Sequence, residues 1–188
     1  MPVAKAFAVG LVSLSGTIIE IEAEISSNLP SFVLIGLPDA SLSEARDRVR
    51  AAAFNSGLPL PGRRVTVNLS PASVPKRGST FDLAIAIAIM SADGRIQPSS
   101  VCDWIHLGEL GLDGSIRAVS GILPSVLAAK RAGWTKVIVP VSNLNEAALV
   151  EGVTVLGAQQ LAQVASFHGA KIEAPALISP VLGGSLQQ

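Results

Sequence analysis

The chain has 188 residues, with 14 Lys plus Arg against 14 Asp plus Glu, 49% hydrophobic residues and a mean hydropathy of +0.51. This excludes intrinsic disorder, which needs low hydrophobicity and high charge, and a globally basic nucleic-acid binder. Cys102 is the one cysteine, so a disulfide framework is impossible and a reducing, cytoplasmic setting is expected.

Ala6–Leu14 is apolar and is followed by Gly16. With Lys5 ahead of it the stretch faintly suggests a signal peptide, but an alternating segment continues directly and no cleavage signature stands clear. Over Thr17–Ile25, Ile19, Ile21, Ala23 and Ile25 take one side and Glu20, Glu22 and Glu24 the other, which predicts a half-buried strand. The acidic ridge reads as a solvated face with edge-protecting charges; a cation or a basic partner is the alternative. Asn28–Pro30 is a turn and Ser31–Ile35 a third strand.

A break at Gly36–Asp39 precedes a helix running to about Ser56, with Asp39 or Ser41 as its cap. Leu42, Ala45, Val49, Ala52 and Ala53 form its apolar stripe. Glu44–Arg48 and Asp47–Arg50 are favourable pairs along it, and Gly57 ends it. Val65–Leu69 is a strand and Ser70–Gly78 a polar loop. The Leu-Ala-Ile alternation after Asp82 fits either period; its alanines and the capping Thr80/Asp82 favour a buried helix over Asp82–Ser91.

Trp104–Leu107 is a short strand and Gly108–Gly114 a glycine-punctuated hairpin. Helices are expected at Gly121–Ala132, Asn143–Val150 and Ala158–His168, and strands at Lys136–Val139 and Val153–Leu156. Lys171–Gln188 reads as a linker. No apolar run reaches the roughly 18–20 residues a membrane span needs, so no membrane partner is expected. The class is α/β or α+β, a single mixed β-sheet packed by helices.

Gly57–Arg64 mimics a phosphate loop only formally. It follows a helix instead of opening one, and Pro59 and Pro61 remove two N–H donors. The glycines at 108, 111 and 114 lack dinucleotide spacing and suit hairpin turns. Cys102, His106 and His168 show no zinc spacing, and His106 is expected to be a packed or hydrogen-bonded histidine. Ser73-Val-Pro-Lys76 fits S-x-x-K, but Pro71 and Pro75 favour a loop over the helical turn that motif needs.

The charge distribution is more informative than its sum. Residues 44–77 carry seven basic residues against Glu44 and Asp47, a local +5 set against −5 elsewhere. Arg46, Arg50, Arg63, Arg64, Lys76 and Arg77 are the nucleic-acid-binding candidates, through phosphate contacts. The alternative is a set of surface charges scattered over different faces, because no aromatics interleave with them for base stacking.

Several stretches then act together. They include the acidic alternation of Ile19–Ile25, the run Leu29–Asp39 (LPSFVLIGLPD), Glu44–Ala52 (EARDRVRAA) and Val65–Ala72 (VTVNLSPA). Pro75–Leu83 (PKRGSTFDL), Gly108–Arg117 (GELGLDGSIR) and Gly121–Ala132 continue the pattern. Over about residues 1–168 this resembles the N-terminal domain of magnesium-chelatase-like AAA+ ATPases of the ComM/YifB type.

The resemblance implies a fold shared with the Lon proteolytic domain and ribosomal protein S5 domain 2, with a left-handed βαβ crossover. It implies a Lon-protease-like domain over 1–168 and a linker over 169–188 toward an AAA+ module that the sequence does not contain. ATP and Mg²⁺ belong to that module, with no cofactor or metal in this chain. Partners would be DNA, the ATPase module and neighbouring subunits of a hexamer, in ComM-type branch migration and natural transformation. Against the Lon motifs, Thr80 falls at the nucleophile position with Ser79 beside it. Leu123 falls at the position of the base lysine, so the dyad is degenerate and the domain is expected to be non-catalytic. A residual Ser/Thr hydrolase, with Lys76 or Lys130 as a substitute base, and a magnesium-chelatase subunit role are the alternatives.

Overall fold

The computed structural model describes residues 3–181, apart from the side chains of Asp39 and Leu42. The order is β1 (Ala4–Val12), β2 (Ser15–Ser26), β3 (Ser31–Ile35), α1 (Asp39–Asn55), β4 (Arg64–Ser70), α2 (Asp82–Ala92) and α3 (Pro98–Val101). It continues with β5 (Ile105–His106), β6 (Glu109–Leu110), β7 (Ile116–Arg117), α4 (Ile122–Arg131), β8 (Lys136–Pro140), α5 (Leu144–Ala147), β9 (Thr154–Ala158) and α6 (Leu161–Phe167). One seven-stranded mixed sheet runs β3-β4-β2-β1-β5-β8-β9, and β6 and β7 form a separate two-stranded ribbon. The β1–β2 and β2–β4 pairs are antiparallel and the other pairs of the large sheet parallel, as expected for an α/β fold with one mixed sheet.

Alternation decides which sheet face is buried. Ile19, Ile21, Ala23 and Ile25 lie in the core and Glu20, Glu22 and Glu24 on the opposite face of β2. α2 packs on β1 and β2 through an apolar run, Leu83–Met90, that is buried all round. α4 covers the hairpin end of β1–β2, where a Cβ on Gly16 would stand 2.3 Å from the Ala128 Cβ. Only glycine permits that approach. α1 connects β3 to the parallel β4 as a βαβ unit and buries Ala45, Val49, Ala52 and Ala53.

Several local expectations change. α1 has Pro38 at its N-cap position and no side-chain cap bond, so neither Asp39 nor Ser41 serves as N-cap. The helix closes as expected on Gly57 (φ +76°), with Leu58 N–H donating to Ala53 O at 3.0 Å and Gly57 N–H to Phe54 O at 3.1 Å. Glu44 and Arg48 pair at 3.6 Å. Asp47 and Arg50 form no ion pair among the described residues, because Arg50 stands instead over the Phe32 ring, 5.9 Å from its centroid.

The helix expected over Asn143–Val150 is a 3₁₀ turn at Val141–Asn143 followed by α5. The Asn143 amide exchanges two 3.0 Å hydrogen bonds with the Val119 main chain and pins the turn there. The last helix begins at Leu161 and not at Ala158, since Ala158 ends β9 opposite Pro140. The stretch read as a linker returns to the sheet as far as Ile178. Gly157 and Ile178 exchange main-chain hydrogen bonds of 2.7 and 2.8 Å, which covers the β9 edge. Residues 182–188, also read as linker, lie outside the described residues. No described helix is long and apolar enough to cross a membrane.

Candidate functional site

Two surfaces carry the candidate residues. The first is the protease-like position. The loop before α2 and the start of α4 meet over β1, and between them a small pocket of about 110 Å³ is lined by Arg77, Thr80, Ser120 and Ser125 above Val9 and Leu11. Thr80, at the nucleophile position, is therefore in a cleft. Leu123, at the lysine position, is half-buried in the first turn of α4, and its N–H donates to Glu146 Oε1 at 3.3 Å.

The lysines considered as substitute bases are committed elsewhere. Lys76 Nζ donates to Pro71 O at 2.7 Å and Val74 O at 2.9 Å, and Lys130 Nζ donates to Glu151 O at 2.6 Å. Ser79 makes a short hydrogen bond to Glu109 Oε2, a carboxylate partner that sequence spacing did not reveal. Next to it, the Asp82 carboxylate is 1% exposed and accepts from Arg48 Nε at 2.6 Å, from Arg48 Nη2 at 3.1 Å and from Leu110 N–H at 3.2 Å. Burial pushes the Asp82 carboxyl up to about 6, while Arg48 and the Leu110 N–H pull the other way. Through these bonds Asp82 locks α2 to α1 and to the β6–β7 ribbon.

The second surface is basic. Arg46 Nη1 donates to Phe32 O at 3.3 Å, Arg50 lies over the Phe32 ring, and Arg63 lines the same cleft of about 390 Å³. Phe54, 70% exposed, stands at that cleft with Arg50 and Arg63. Arg63 also reaches Asp93 at 3.4 Å, a carboxylate it shares with Arg95 at 2.9 Å.

The other three candidates are dispersed. Arg64 begins β4 next to buried Val65 and so points to the opposite sheet face. Arg77 lies in the protease-like pocket. Lys76 is 2% exposed, its ammonium held by two carbonyls and its pKa lowered by burial, so it is unavailable to a phosphate. Of the charge cluster seen in the sequence, Arg50 and Arg63 line one cleft, and Arg46 sits beside it on the Phe32 carbonyl. Phe54 was overlooked because it is a single aromatic; its i+4 spacing from Arg50 on α1 was the available signal.

His106 is packed and hydrogen-bonded, as expected. Its Nε2 is 2.8 Å from His168 Nε2, and His168 Nδ1 is 2.7 Å from Ser100 Oγ. Burial holds both rings neutral, His168 down at about 4 and His106 well below the usual histidine value. Among the described residues no group of three or more His, Cys, Asp or Glu is arranged to hold a metal.

Residues 21–143 match the family described as subunit ChlI of Mg-chelatase. An uncharacterized protein of Mycobacterium tuberculosis is 50% identical over 167 residues, 89% of this chain and 33% of that protein. Competence protein ComM of Haemophilus influenzae is 36% identical over 175 residues, 93% of this chain and 34% of that protein. A more distant likeness, 32% over 138 residues, is to Lon protease 1 of Sorangium cellulosum, covering 69% of this chain and 17% of that protein. The chain spans about a third of the length of the first two relatives. The resemblance first read from Leu29–Asp39, Pro75–Leu83 and Gly108–Arg117 thus has independent support across the region that builds the sheet, the cleft and the basic surface, and the chain belongs to the magnesium-chelatase ChlI family.

Proposed function

We propose that this chain is a non-catalytic accessory domain of a magnesium-chelatase-like AAA+ ATPase engaged in DNA processing. Arg46, Arg50 and Arg63 supply its phosphate contacts, and Phe54 a platform for an unstacked base. The observation that carries this reading is a cleft that Arg50 and Arg63 line together with Phe32 and the exposed Phe54, with Arg46 bonded to the Phe32 carbonyl. Cations with an aromatic face are the chemistry that holds single-stranded nucleic acid. The competence name of one relative points the same way. ATP, Mg²⁺ and the hexamer contacts belong to an ATPase module, with this domain flanking the ring in the cytoplasm.

The test is salt-dependent retention of single-stranded DNA by the whole protein. Arg50→Ala/Arg63→Ala lowers the slope of log affinity against log salt by about 1–2. Phe54→Ala weakens binding by about 1–3 kcal/mol at an unchanged slope. Unaltered retention in both variants overturns the DNA reading.

A second reading rests on Ser79. Its hydroxyl donates to the Glu109 carboxylate, which is placed to take the proton if the hydroxyl attacked a carbonyl. Treatment of the 188-residue chain with a serine-reactive fluorophosphonate decides it. Absence of labelling at Ser79 and Thr80, together with intact casein, ends the hydrolase reading.

A further inference from the structure

The pocket at the protease-like position has a lining unlike that of a peptidase. Its polar wall consists of one guanidinium, from Arg77, and the hydroxyls of Thr80, Ser120 and Ser125, with no carboxylate. Arg77 is exposed and forms no ion pair among the described residues. Ser125 Oγ donates to Gly121 O at 2.7 Å, so its proton is already placed. Thr80 is half-buried and Ser120 exposed, which leaves both hydroxyls within reach of an incoming group.

The geometry around the pocket is constrained. Gly121 has φ +75°, and a Cβ there would stand 2.5 Å from Leu11 Cδ1, so the turn into α4 closes tightly on the apolar floor. Leu123 at the base position supplies no amine, so the guanidinium of Arg77 is the cation of the pocket lining. A small pocket of about 110 Å³ with a permanent cation, hydroxyl donors and no competing anion selects one kind of ligand. We propose that it binds a tetrahedral oxyanion, phosphate or sulfate, either free or as the terminal or bridging phosphate of a larger ligand. Arg77 supplies the bidentate contact, and Thr80 and Ser120 the flanking hydrogen bonds. The site shares no lining residue with the Arg50/Arg63 cleft and does not depend on the DNA reading.

The test uses the ¹⁵N-labelled 188-residue chain titrated with inorganic phosphate and with sulfate at constant ionic strength. Saturable shifts are expected at the amides of Thr80, Ser120 and Gly121. Arg77→Gln weakens binding by about tenfold or more and Thr80→Val by a few fold, as expected for a lost charged and a lost neutral hydrogen bond. Arg50→Ala leaves the affinity unchanged. Dimethyl phosphate and phenyl phosphate separate the sources: binding of the first marks a phosphodiester ligand, and binding of the second alone a monoester or free phosphate. Three results overturn the proposal, namely no saturable shift, an unchanged affinity in Arg77→Gln, or acetate binding as tightly as phosphate.

Discussion

Arg48 and Arg50 are two residues apart on α1 and have opposite fates. Arg48 grips Asp82 through two nitrogens, and that carboxylate is 1% exposed. Arg50 is exposed over Phe32, at the rim of a cleft open to solvent. Lys76 and Arg77 repeat the contrast in adjacent positions, one ammonium held by two carbonyls and one guanidinium in a pocket. The basic segment is therefore two populations. One holds the helices and loops together, and the other stays at the surface. Local sequence charge cannot separate them, because the separation follows from which way each side chain faces.

The largest expected effect comes from the internal population. Arg48→Ala strands a buried carboxylate and costs about 3–5 kcal/mol, read as a drop in Tm of about 2–4 °C per kcal/mol at this chain length. Arg48→Met/Asp82→Leu recovers most of the loss, since no charge is then left unpaired. A single variant as stable as the parent would dissolve the contrast with Arg50.

Acid extends the contrast to a buried neutral group. His168 is held at about 4 against its usual 6.5, mainly by burial, so the unfolded chain binds its proton first. Stability is lost as pH falls from about 6.5 toward 4, by about 3 kcal/mol over that window. Asp82, raised from 3.8 to about 6, runs the other way, its contribution being lost as pH rises through that interval. Urea melts of the parent and of His168→Gln between pH 4 and 7.5 separate the two. The variant loses the His168 part of the acid limb, and an acid limb of unchanged depth contradicts the assignment.

Lys76→Met removes the donor to the Pro71 and Val74 carbonyls and costs about 1–3 kcal/mol. The salt slope of DNA retention stays the same, because the ammonium was never available to phosphate. A reduced slope returns Lys76 to the interface. The smallest stability change is expected for Arg50→Ala/Arg63→Ala, within about 0.5 kcal/mol in urea melts, although this variant is the one that weakens DNA retention.

Much of the fold was legible. The alternation of Ile19–Ile25, the all-apolar Leu83–Met90 and the Gly57 stop each follow from a short-range rule of strand period, helix burial or left-handed closure. Elements whose ends are set by distant partners were not legible. Asn143 is fixed by Val119, and Ala158 is drawn into β9 by Pro140. Glu109 on Ser79 and Phe54 beside Arg63 needed residues 30 and 9 positions apart to meet.

The sequence by itself determined the class of fold, the family likeness and the presence of a local +5 segment. Period, glycine placement and motif order are carried by neighbours along the chain. Tertiary structure alone decided which charges are internal and which remain at the surface. It also decided that the segment after α6 closes the β9 edge and that Thr80 and Arg77 line one small pocket. Those outcomes depend on burial and on contacts between remote elements, and a charge has its cost or its use only once its surroundings are in place.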